Sequence, residues 1–433
     1  MSYGKTLYLT LAVSFMCVLS LASVRAASPS TEAGDGWTSY SPRPEIVPKS
    51  WVTQEAGKRL LCLAGNGHRS VDGSWRKTVP VVGGQTYRFS VSFFSQNVEL
   101  ERRTILASVE WLDAKGRRVE TLDYPPTVSP SSKSPRHVGR IEGWCTAPEK
   151  ATQAQIALVY RWDSYGEVRW DAVEFQPGER PKRPVRLATI YCRPKGTKSA
   201  EESVEKFAEL VRKAAAQKPD FICLPEGITV IGTGEKYVDV AEPIPGPTTA
   251  RLGELARQSH AYLVAGLYER EGRTVYNTAV LIARDGRLVG SYRKVSLPNE
   301  EIEGGVTPGD AFPVFDTDFG KVGIMICWDV FFPEPARALA ARGAEIIFLP
   351  IWGGNADLIK ARPIENQVYL VTSSYDAKTA IYDRRGAAVA EANEQQPIAV
   401  AEIDLAQPTL WPWLGDYRSR IPREGPPVTG ELP

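Results

Sequence analysis

The chain contains 433 residues, which suggests two or three domains and enough material for buried cores. Its composition, with 43% hydrophobic and 24% charged residues, is ordinary for a globular protein. The formal net charge of +1 gives no electrostatic reason to expect nucleic acid or a charged surface as a partner, so the function must be sought in a site.

The N-terminus predicts export. An apolar run follows Lys5 and ends in a small-residue pattern at residues 24–27, as in secretory signal peptides. We therefore predict a signal peptide at residues 1–27 and a secreted or periplasmic protein, with an uncleaved membrane anchor as the alternative. Five cysteines would remain, so at least one thiol is free. Cys62 and Cys145 could form a disulfide, although two plain buried cysteines fit equally well.

Short strand-like runs separated by turn residues dominate residues 49–180. Before them, residues 28–48 are rich in Ser, Pro and Gly and predict a flexible linker. The seven predicted strands cover residues 59–63, 75–82, 86–94, 105–112, 138–146, 155–162 and 168–175. Strands of this length and spacing indicate an all-β sandwich.

Three segments of this region, residues 84–90, 109–113 and 170–175, resemble the galactose-binding-like jelly rolls of carbohydrate-binding modules. The resemblance implies a glycan as a candidate partner, with Trp75, Trp144 and Trp162 as candidates for a platform on which a sugar could stack. Aromatic residues at alternating strand positions more often belong to the core, which is the competing interpretation.

A proline-rich stretch at residues 176–184 marks a domain boundary, and strands then alternate with helices over residues 181–433. The predicted strands cover residues 186–191, 221–224, 261–268, 277–283, 322–326 and 345–349, and the predicted helices begin at Ser199 or cover residues 249–258 and 335–341. Ser199 and Glu202 have the spacing of a capping box. The alternation predicts an α/β fold with helices packed outside the sheets.

Polar residues follow apolar strands in four segments of this second domain, where α/β folds usually carry their chemistry. The segments are Leu224-Pro225-Glu226-Gly227, Tyr292-Arg293-Lys294-Val295-Ser296-Leu297-Pro298, Gly323-Ile324-Met325-Ile326-Cys327-Trp328-Asp329 and Ala361-Arg362-Pro363-Ile364-Glu365-Asn366. In this order they resemble the nitrilase superfamily of carbon-nitrogen hydrolases over residues 185–423. The resemblance implies a C-terminal four-layer αββα sandwich, preceded here by the all-β jelly-roll sandwich.

Hydrolysis of an amide through a covalent intermediate requires a nucleophile, a base and a group that stabilises the oxyanion. The resemblance assigns these roles to Cys327, to Glu226 and to Lys294 with the backbone N–H of Trp328. We expect the Lys294 charge to favour the Cys327 thiolate as well. A core cysteine and a structural Glu226–Lys294 ion pair are the alternatives.

The resemblance also implies a second carboxylate between Lys294 and the Pro308-Gly309 turn. Glu300, Glu301 and Glu303 are candidates, and Glu303 before Gly304 matches the pattern best.

Histidine usually activates a catalytic cysteine or serine. The chain has three, and His68 and His137 fall in the predicted β-sandwich. A dyad in the second domain would depend on His260, at a predicted helix end, which we regard as the weaker hypothesis.

The residues that follow the nucleophile bear on the substrate. Cys327-Trp328-Asp329 resembles amidases and carbamoyl hydrolases, whereas enzymes acting on nitriles resemble Cys-Trp-Glu-Asn. An arginine that would clamp a substrate carboxylate is missing at Val330 and Phe331. We expect an apolar pocket wall from Val330, Phe331 and Phe332, and the predicted substrate-binding residues are Trp328, Phe331, Phe332 and Trp352.

These patterns predict a secreted amidase that cleaves a non-peptide amide or carbamoyl C–N bond of a small molecule. The alternatives are a nitrile hydrolase and a non-catalytic glycan-binding protein with an inert hydrolase-like scaffold. No metal cluster, phosphate-binding loop or nucleotide fingerprint occurs in the sequence, so no cofactor is implied. The resemblance implies a homodimer. Pro363 predicts a helix that starts near Arg362, and Arg362, Glu365 and Asn366 are expected to make structural hydrogen bonds.

Overall fold

The structure, a computed structural model, describes residues 32–119, 122–128 and 136–425. The predicted signal peptide lies outside these residues. Within them, no helix combines the length and the apolar character that crossing a membrane requires.

The N-terminal region is a sandwich of two five-stranded antiparallel sheets. Its strands are β1 Glu32–Gly34, β2 Trp37–Tyr40, β3 Lys49–Glu55, β4 Lys58–Ala64, β5 Asp72–Pro80, β6 Thr86–Gln96, β7 Ile105–Leu112, β8 Arg136–Thr146, β9 Gln153–Arg161 and β10 Glu167–Pro177, with a short helix α1 at Glu101–Thr104 and a 3-10 turn at Pro44–Ile46. The first sheet has the order β1-β2-β5-β9-β7 and the second the order β3-β4-β10-β6-β8. All seven predicted strands are confirmed.

The predicted linker at residues 28–48 is wrong for the part that the structure describes. Strands β1 and β2 belong to the first sheet, where β2 pairs with β5, and Trp37 is buried in the core. The segment is short and rich in turn residues, but it is held by hydrogen bonds to a strand more than thirty residues further along the chain.

Alternating side chains from both sheets fill the interior of this sandwich. Trp75 is fully buried there, so it cannot serve as part of a sugar platform. Its Nε1 donates to the backbone oxygen of Cys62 at 3.0 Å. Trp162 is 40% exposed, and the guanidinium group of Arg161 lies 4.0 Å from the centre of its ring. Cys62 and Cys145 are buried free thiols, which excludes the disulfide.

The second region contains two six-stranded sheets. Its elements are β11 Pro184–Ile190, α2 Ala200–Ala215, β12 Phe221–Cys223, α3 Pro247–Ser259, β13 Tyr262–Glu271, β14 Thr274–Ile282, β15 Leu288–Arg293, α4 Asn299–Glu303, β16 Val314–Thr317, β17 Gly320–Ile324, a 3-10 turn at Cys327–Phe331, α5 Pro333–Ala341, β18 Ile346–Ile351, α6 Ala356–Asn366, β19 Tyr369–Ser374, β20 Thr379–Tyr382, β21 Ala388–Ala392, β22 Ile398–Asp404, β23 Leu410–Trp411, β24 Gly415–Asp416 and α7 Tyr417–Glu424. The sheet orders are β15-β14-β13-β12-β11-β22 and β16-β17-β18-β19-β20-β21.

These sheets pack face to face with helices on their outer sides, which confirms the four-layer αββα fold. One apolar core joins the inner faces, with Phe221 of one sheet stacked near Phe348 of the other. A second core lies between the first sheet and helices α2 and α3, and α5 and α6 contact the other sheet. Strands β12 and β18 are therefore central, so the loops that follow them meet at one edge of the domain.

Two helix ends test the local predictions. Ser199 caps α2, and its side chain accepts a hydrogen bond from Glu202 N at 3.2 Å, as predicted. The predicted start of a helix near Arg362 is wrong, because α6 begins at Ala356 and contains Pro363 in its interior. The side chain of Asn355 caps α6 by accepting from the backbone N–H groups of the first turn.

The two regions are joined between Pro177 and Pro184. Arg180 in this connection donates to the backbone oxygen of Trp144 in the sandwich at 2.9 Å and to that of Ala406 at 3.1 Å. At the other end of the chain, Arg423 of α7 donates to the backbone oxygen of Pro125 at 2.5 Å. Both ends of the second region are thus attached to the sandwich.

Candidate active site

Glu226 lies directly after the central strand β12, in a tight turn. Its side chain is almost completely buried and accepts three hydrogen bonds, from Lys294 Nζ at 3.0 Å, Asn277 Nδ2 at 2.6 Å and the backbone N–H of Trp352 at 2.9 Å. Gly266 of β13 allows this close packing, since a Cβ atom there would lie 2.7 Å from the Glu226 Cα. A carboxylate held by three donors has a fixed position.

Lys294 follows β15 and is only 1% exposed. Its ammonium group donates to Glu226 Oε1 at 3.0 Å and to Glu301 Oε2 at 2.9 Å. Burial alone would lower the pKa of Lys294, but the charges of Glu226, Cys327 and Glu301 outweigh it and raise the pKa. The site therefore contains a permanent buried positive charge.

The second carboxylate is Glu301, so the choice of Glu303 was wrong. Glu301 is buried beside Lys294, whereas Glu303 is exposed. The two residues are separated by two positions in the short helix α4, and such residues do not share a helix face. Burial raises the pKa of Glu301, and the Lys294 charge opposes that rise.

Asn277 is a site residue that the sequence analysis missed. It lies fully buried in β14, and its Nδ2 donates to Glu226 Oε1 and to Glu301 Oε1 at 2.5 Å. The signal was a polar pair, Asn277-Thr278, inside an otherwise apolar strand. The uncharged Asn277 side chain thus holds two carboxylates in place. The Tyr268 hydroxyl adds a longer hydrogen bond to Glu301, at 3.3 Å.

Cys327 begins the 3-10 turn after β17 with a backbone φ of +42°, which is unusual for a residue other than glycine. Its Sγ lies 3.7 Å from the backbone oxygen of Gly353. Burial raises the pKa of Cys327 to about 12, and the negative charge of Glu226 adds to this, while Lys294 lowers it. Lys294 thus favours the thiolate, as expected, but burial and the Glu226 charge outweigh it, so the thiol needs a base to become a nucleophile.

Asp329 fixes the turn that carries Cys327 to the loop that carries Lys294. It is fully buried, and its carboxylate accepts from Ile326 N at 2.9 Å, Ser296 N at 2.9 Å and the Tyr292 hydroxyl at 2.7 Å. Because Tyr292 and Ser296 flank Lys294 in sequence, this carboxylate sets the distance between Cys327 and Lys294.

The predicted apolar wall is only partly correct. The rings of Trp328 and Phe331 lie 4.3 Å apart and are half-buried, and Phe332 is 42% exposed. Val330 instead belongs to the core between the sheets, with no exposed surface. Trp352 is half-buried, and its ring meets that of Tyr375 edge-on at 4.9 Å.

Other residues predicted from the sequence form structural hydrogen bonds or lie away from Cys327. Arg362 donates to the backbone oxygen of Val330 at 2.9 Å and to Glu365 at 2.6 Å, and Asn366 donates to the Arg362 oxygen. His260 caps the end of α3 and is exposed. None of the three histidines has a hydrogen bond to Cys327 in the part of the chain that the structure describes.

The second region of the chain is similar in sequence to known proteins. The model of the carbon-nitrogen hydrolase family matches residues 186–412, which begins in β11 and excludes the sandwich. The omega-amidase NIT2 of Mus musculus is 32% identical over 263 residues, covering 55% of this chain and 92% of that protein. A protein named nitrilase from Pyrococcus abyssi is 35% identical over 244 residues, covering 51% of this chain and 90% of the relative.

Solved structures of similar proteins include Nit3 of Saccharomyces cerevisiae, described as a member of branch 10 of the nitrilase superfamily. It is 25% identical, with a TM-score of 0.48, and the match covers 57% of this chain and 96% of that chain. An amidase from Nesterenkonia sp. AN1 is 23% identical with a TM-score of 0.45, covering 51% and 93% of the two chains.

Proposed function

The chain belongs to the carbon-nitrogen hydrolase family, and from this premise we propose that it is an amidase acting on a small molecule. The bond cleaved is a non-peptide amide or carbamoyl C–N bond, and the intermediate is a thioester on Cys327. The observation that supports this proposal is the position of Glu226, which is held by three donors and whose charge acts on the Cys327 thiol.

In the first half of the reaction, the Cys327 proton passes to the Glu226 carboxylate as Sγ attacks the carbonyl carbon. The charge that develops on the carbonyl oxygen is stabilised by the Lys294 ammonium and the Trp328 N–H. When the tetrahedral intermediate collapses, the C–N bond breaks and Glu226 gives its proton to the departing nitrogen. Ammonia or an amine leaves, and the acyl group remains on sulfur.

In the second half, a water molecule replaces the amine. Glu226 takes a proton from this water as the water oxygen attacks the thioester carbon. A second tetrahedral oxyanion forms, and its collapse breaks the C–S bond. The proton returns to Sγ, so the resting thiol is restored. A thiol whose pKa is about 12 is a poor nucleophile by itself, which makes the adjacent base indispensable.

Glu301 and Asn277 act as positioning residues in this proposal. Two carboxylates take two of the three N–H donors of the Lys294 ammonium group, so one donor remains for a developing oxyanion. Trp328, Phe331, Phe332 and Trp352 would bind the apolar part of the substrate. The first three belong to the turn that carries Cys327 or follow it directly, and Trp352 precedes Gly353, whose backbone oxygen contacts the Cys327 Sγ.

Nitrile hydrolysis is the second candidate, because one relative carries the name nitrilase. The residues after Cys327 favour an amide. A nitrile and a primary amide each release one ammonia on complete hydrolysis, so the two activities are separated by which compounds are turned over.

The test is ammonia release from a panel of primary amides, carbamoyl compounds and nitriles, with Cys327→Ala measured in parallel. We expect turnover of at least one amide or carbamoyl compound, abolished by the substitution. Activity that survives Cys327→Ala would refute the mechanism. Inactivity against the whole panel, with Cys327 unreactive in the folded protein, would favour a non-catalytic scaffold.

Location and assembly are part of the proposal. The N-terminal sequence supports export, and sequencing the N-terminus of the mature protein from the extracellular or periplasmic fraction tests cleavage after residue 27. The family resemblance supports a homodimer. Light scattering of the purified protein should then give about twice the mass of one mature chain.

A further inference from the structure

The end of strand β19 is bonded to the loop that carries Glu226. Tyr375 directly follows β19 and is only 4% exposed, and its hydroxyl donates to the backbone oxygen of Glu226 at 2.8 Å. Strand β19 belongs to one sheet of the second region, whereas Glu226 follows β12 of the other sheet. This hydrogen bond therefore joins the two sheets at the edge where the site lies.

The same segment holds Trp352, which in turn holds the Glu226 carboxylate. The backbone oxygen of Trp352 accepts from the N–H groups of Tyr375 at 3.1 Å and Asp376 at 2.8 Å. It also accepts from the Ser374 hydroxyl at 3.0 Å, and the rings of Trp352 and Tyr375 meet edge-on. Because the N–H of Trp352 donates to Glu226 Oε2 at 2.9 Å, residues 374–376 support both the backbone and the side chain of Glu226.

Residues 374–379 form a turn that is closed by its own hydrogen bonds. The N–H of Ser374 donates to Thr379 Oγ1 at 3.0 Å, and this hydroxyl donates to the Ser374 backbone oxygen at 3.1 Å. The Ser374 hydroxyl accepts from Ala377 N at 2.8 Å. Ser374 and Thr379 are buried, and a buried network with satisfied hydrogen bonds is rigid. The turn is thus a firm support for Glu226.

Tyr375 has no role in the chemical steps described above. Its hydroxyl is engaged by the Glu226 backbone oxygen, and its ring is buried, so it is not a substrate contact. Burial raises the pKa of Tyr375 well above its usual range, so the hydroxyl remains a donor throughout the working pH range. The contacts of Tyr375 all lead to Glu226 or to Trp352.

We propose that Tyr375 is a positioning residue for the general base, which fixes Glu226 at the distance from Cys327 that proton transfer requires. The inference rests on the proposed amidase function. Displacement of a catalytic group by about 1 Å can reduce the rate about 100-fold. A hydrogen bond that touches neither the substrate nor the sulfur atom can therefore determine kcat.

The experiment is Tyr375→Phe, which removes only the hydroxyl. With a substrate found in the amide and carbamoyl panel, we expect kcat to fall about tenfold and KM to change less than about twofold, because the hydroxyl positions the base and does not bind the substrate. A second measurement needs no substrate. The iodoacetamide labelling of Cys327 should level off at a lower pH than in the wild type, because the Glu226 charge that raises the Cys327 pKa is held less closely.

Tyr160→Phe is the matched control. Tyr160 is fully buried in the sandwich, and its hydroxyl donates to the backbone oxygens of Gly166 at 2.7 Å and Asp163 at 2.9 Å. The substitution also removes a buried hydroxyl that is bonded to backbone oxygen, but far from Glu226 in the fold. We expect it to lower the Tm while kcat and the labelling curve stay unchanged.

A neighbouring pair of serines provides a second test. Ser374→Ala removes one of the three donors to the Trp352 oxygen, and it should lower kcat by a smaller factor than Tyr375→Phe does. Ser373→Ala is its control, because the Ser373 hydroxyl is equally buried but donates to the backbone oxygen of Ile190 at 2.6 Å. If Tyr375→Phe does not fold, this pair decides the question.

Three results would overturn the inference in an enzyme that releases ammonia. The first is an unchanged kcat with an unchanged labelling curve in Tyr375→Phe. The second is an equal loss of kcat in Tyr375→Phe and Tyr160→Phe, which would indicate a general effect on stability. The third is a raised KM with the native kcat. A wild type that releases no ammonia from any compound refutes the proposed function instead, and the labelling curve then still tests whether Tyr375 holds Glu226 near Cys327.

Discussion

The hydrolase site and the outer face of the first sandwich sheet both collect charged side chains on neighbouring strands, but the charges are held by different kinds of partner. Lys294 is 1% exposed and has a carboxylate oxygen at 3.0 Å and another at 2.9 Å. On the sandwich face, Arg76 is half-buried and donates to Ser74 Oγ at 3.1 Å and to Gln155 Oε1 at 3.3 Å. Arg161 donates to the backbone oxygen of Arg103 at 3.1 Å. Charges fixed by buried charged partners suit chemistry in a dry site, whereas arginines held by neutral groups at a partly exposed face contribute through packing.

Replacing the base should have the largest effect on the hydrolase side of this comparison. We expect Glu226→Gln to reduce kcat by at least about 1,000-fold, within the range of roughly 10² to 10⁴ for general acid–base catalysis. Because the Glu226 charge raises the pKa of Cys327 while Lys294 remains positive, the same substitution should lower the pKa of Cys327. Ammonia release gives the first quantity, and the pH dependence of iodoacetamide labelling gives the second.

The sign of that pH dependence is fixed by the thiolate, which is the reactive form. At any pH below its pKa of about 12, the native Cys327 thiol is mostly protonated. The rate of iodoacetamide labelling of the wild type should therefore rise with pH without levelling off below about pH 10. In Glu226→Gln the curve should level off at lower pH. Glu303→Gln is the control, since Glu303 is exposed. An unchanged labelling curve in Glu226→Gln would disprove the electrostatic contact.

The buried ammonium group should matter more for stability than any surface charge. Lys294→Met leaves Glu226 and Glu301 buried without their cation, and we expect the free energy of unfolding to fall by about 3–5 kcal/mol. Lys58→Met in the sandwich is the matched control. Lys58 pairs with Asp171 at the same distance, 2.9 Å, but it is exposed, so its loss should cost at most about 1 kcal/mol. Equal losses in urea unfolding would contradict the comparison.

Asn277 tests whether an uncharged side chain maintains the site. Asn277→Leu removes the donor to Glu226 and Glu301, and we expect a loss of about 1–3 kcal/mol in unfolding free energy, together with a lower kcat. Thr278→Val is the neighbouring control: it removes a buried hydrogen bond to Glu269, which lies outside the site. If both variants lower kcat equally, Asn277 has a general structural role and no specific one.

The fold was predictable from the sequence wherever a local pattern of apolar and polar residues indicated a strand or a helix. Strand and helix periodicity identified seven of the eight longer strands of the sandwich and the alternation of the second domain, and it missed β3 at Lys49–Glu55. Strands β1 and β2 were missed because two short strands around the Asp35-Gly36 turn give little periodic signal. They are ordered by pairing with β5, which is a contact between distant parts of the chain.

The site was predictable where a motif fixed a residue to a strand end, and less so elsewhere. Glu226, Lys294 and Cys327 follow strands whose ends converge. Glu301 and Glu303 differ only in which side of a five-residue helix they occupy, and that depends on how α4 packs against Lys294. Val330 looked like a pocket residue by its apolar neighbours, but the 3-10 turn points it into the core.

The smallest expected effect concerns the aromatic residue that sequence alone proposed as a sugar platform. Trp162 is exposed, but its ring faces Arg161 at 4.0 Å and Arg103 at 5.1 Å, so arginines already occupy the ring surface. We expect Trp162→Ala to lower the unfolding free energy by about 0.5–1 kcal/mol, as for an exposed cation–π contact. Urea unfolding measures this change. A loss as large as that of Lys294→Met would contradict the comparison, because the exposed ring contact would then stabilise the fold as much as the buried ion pair does.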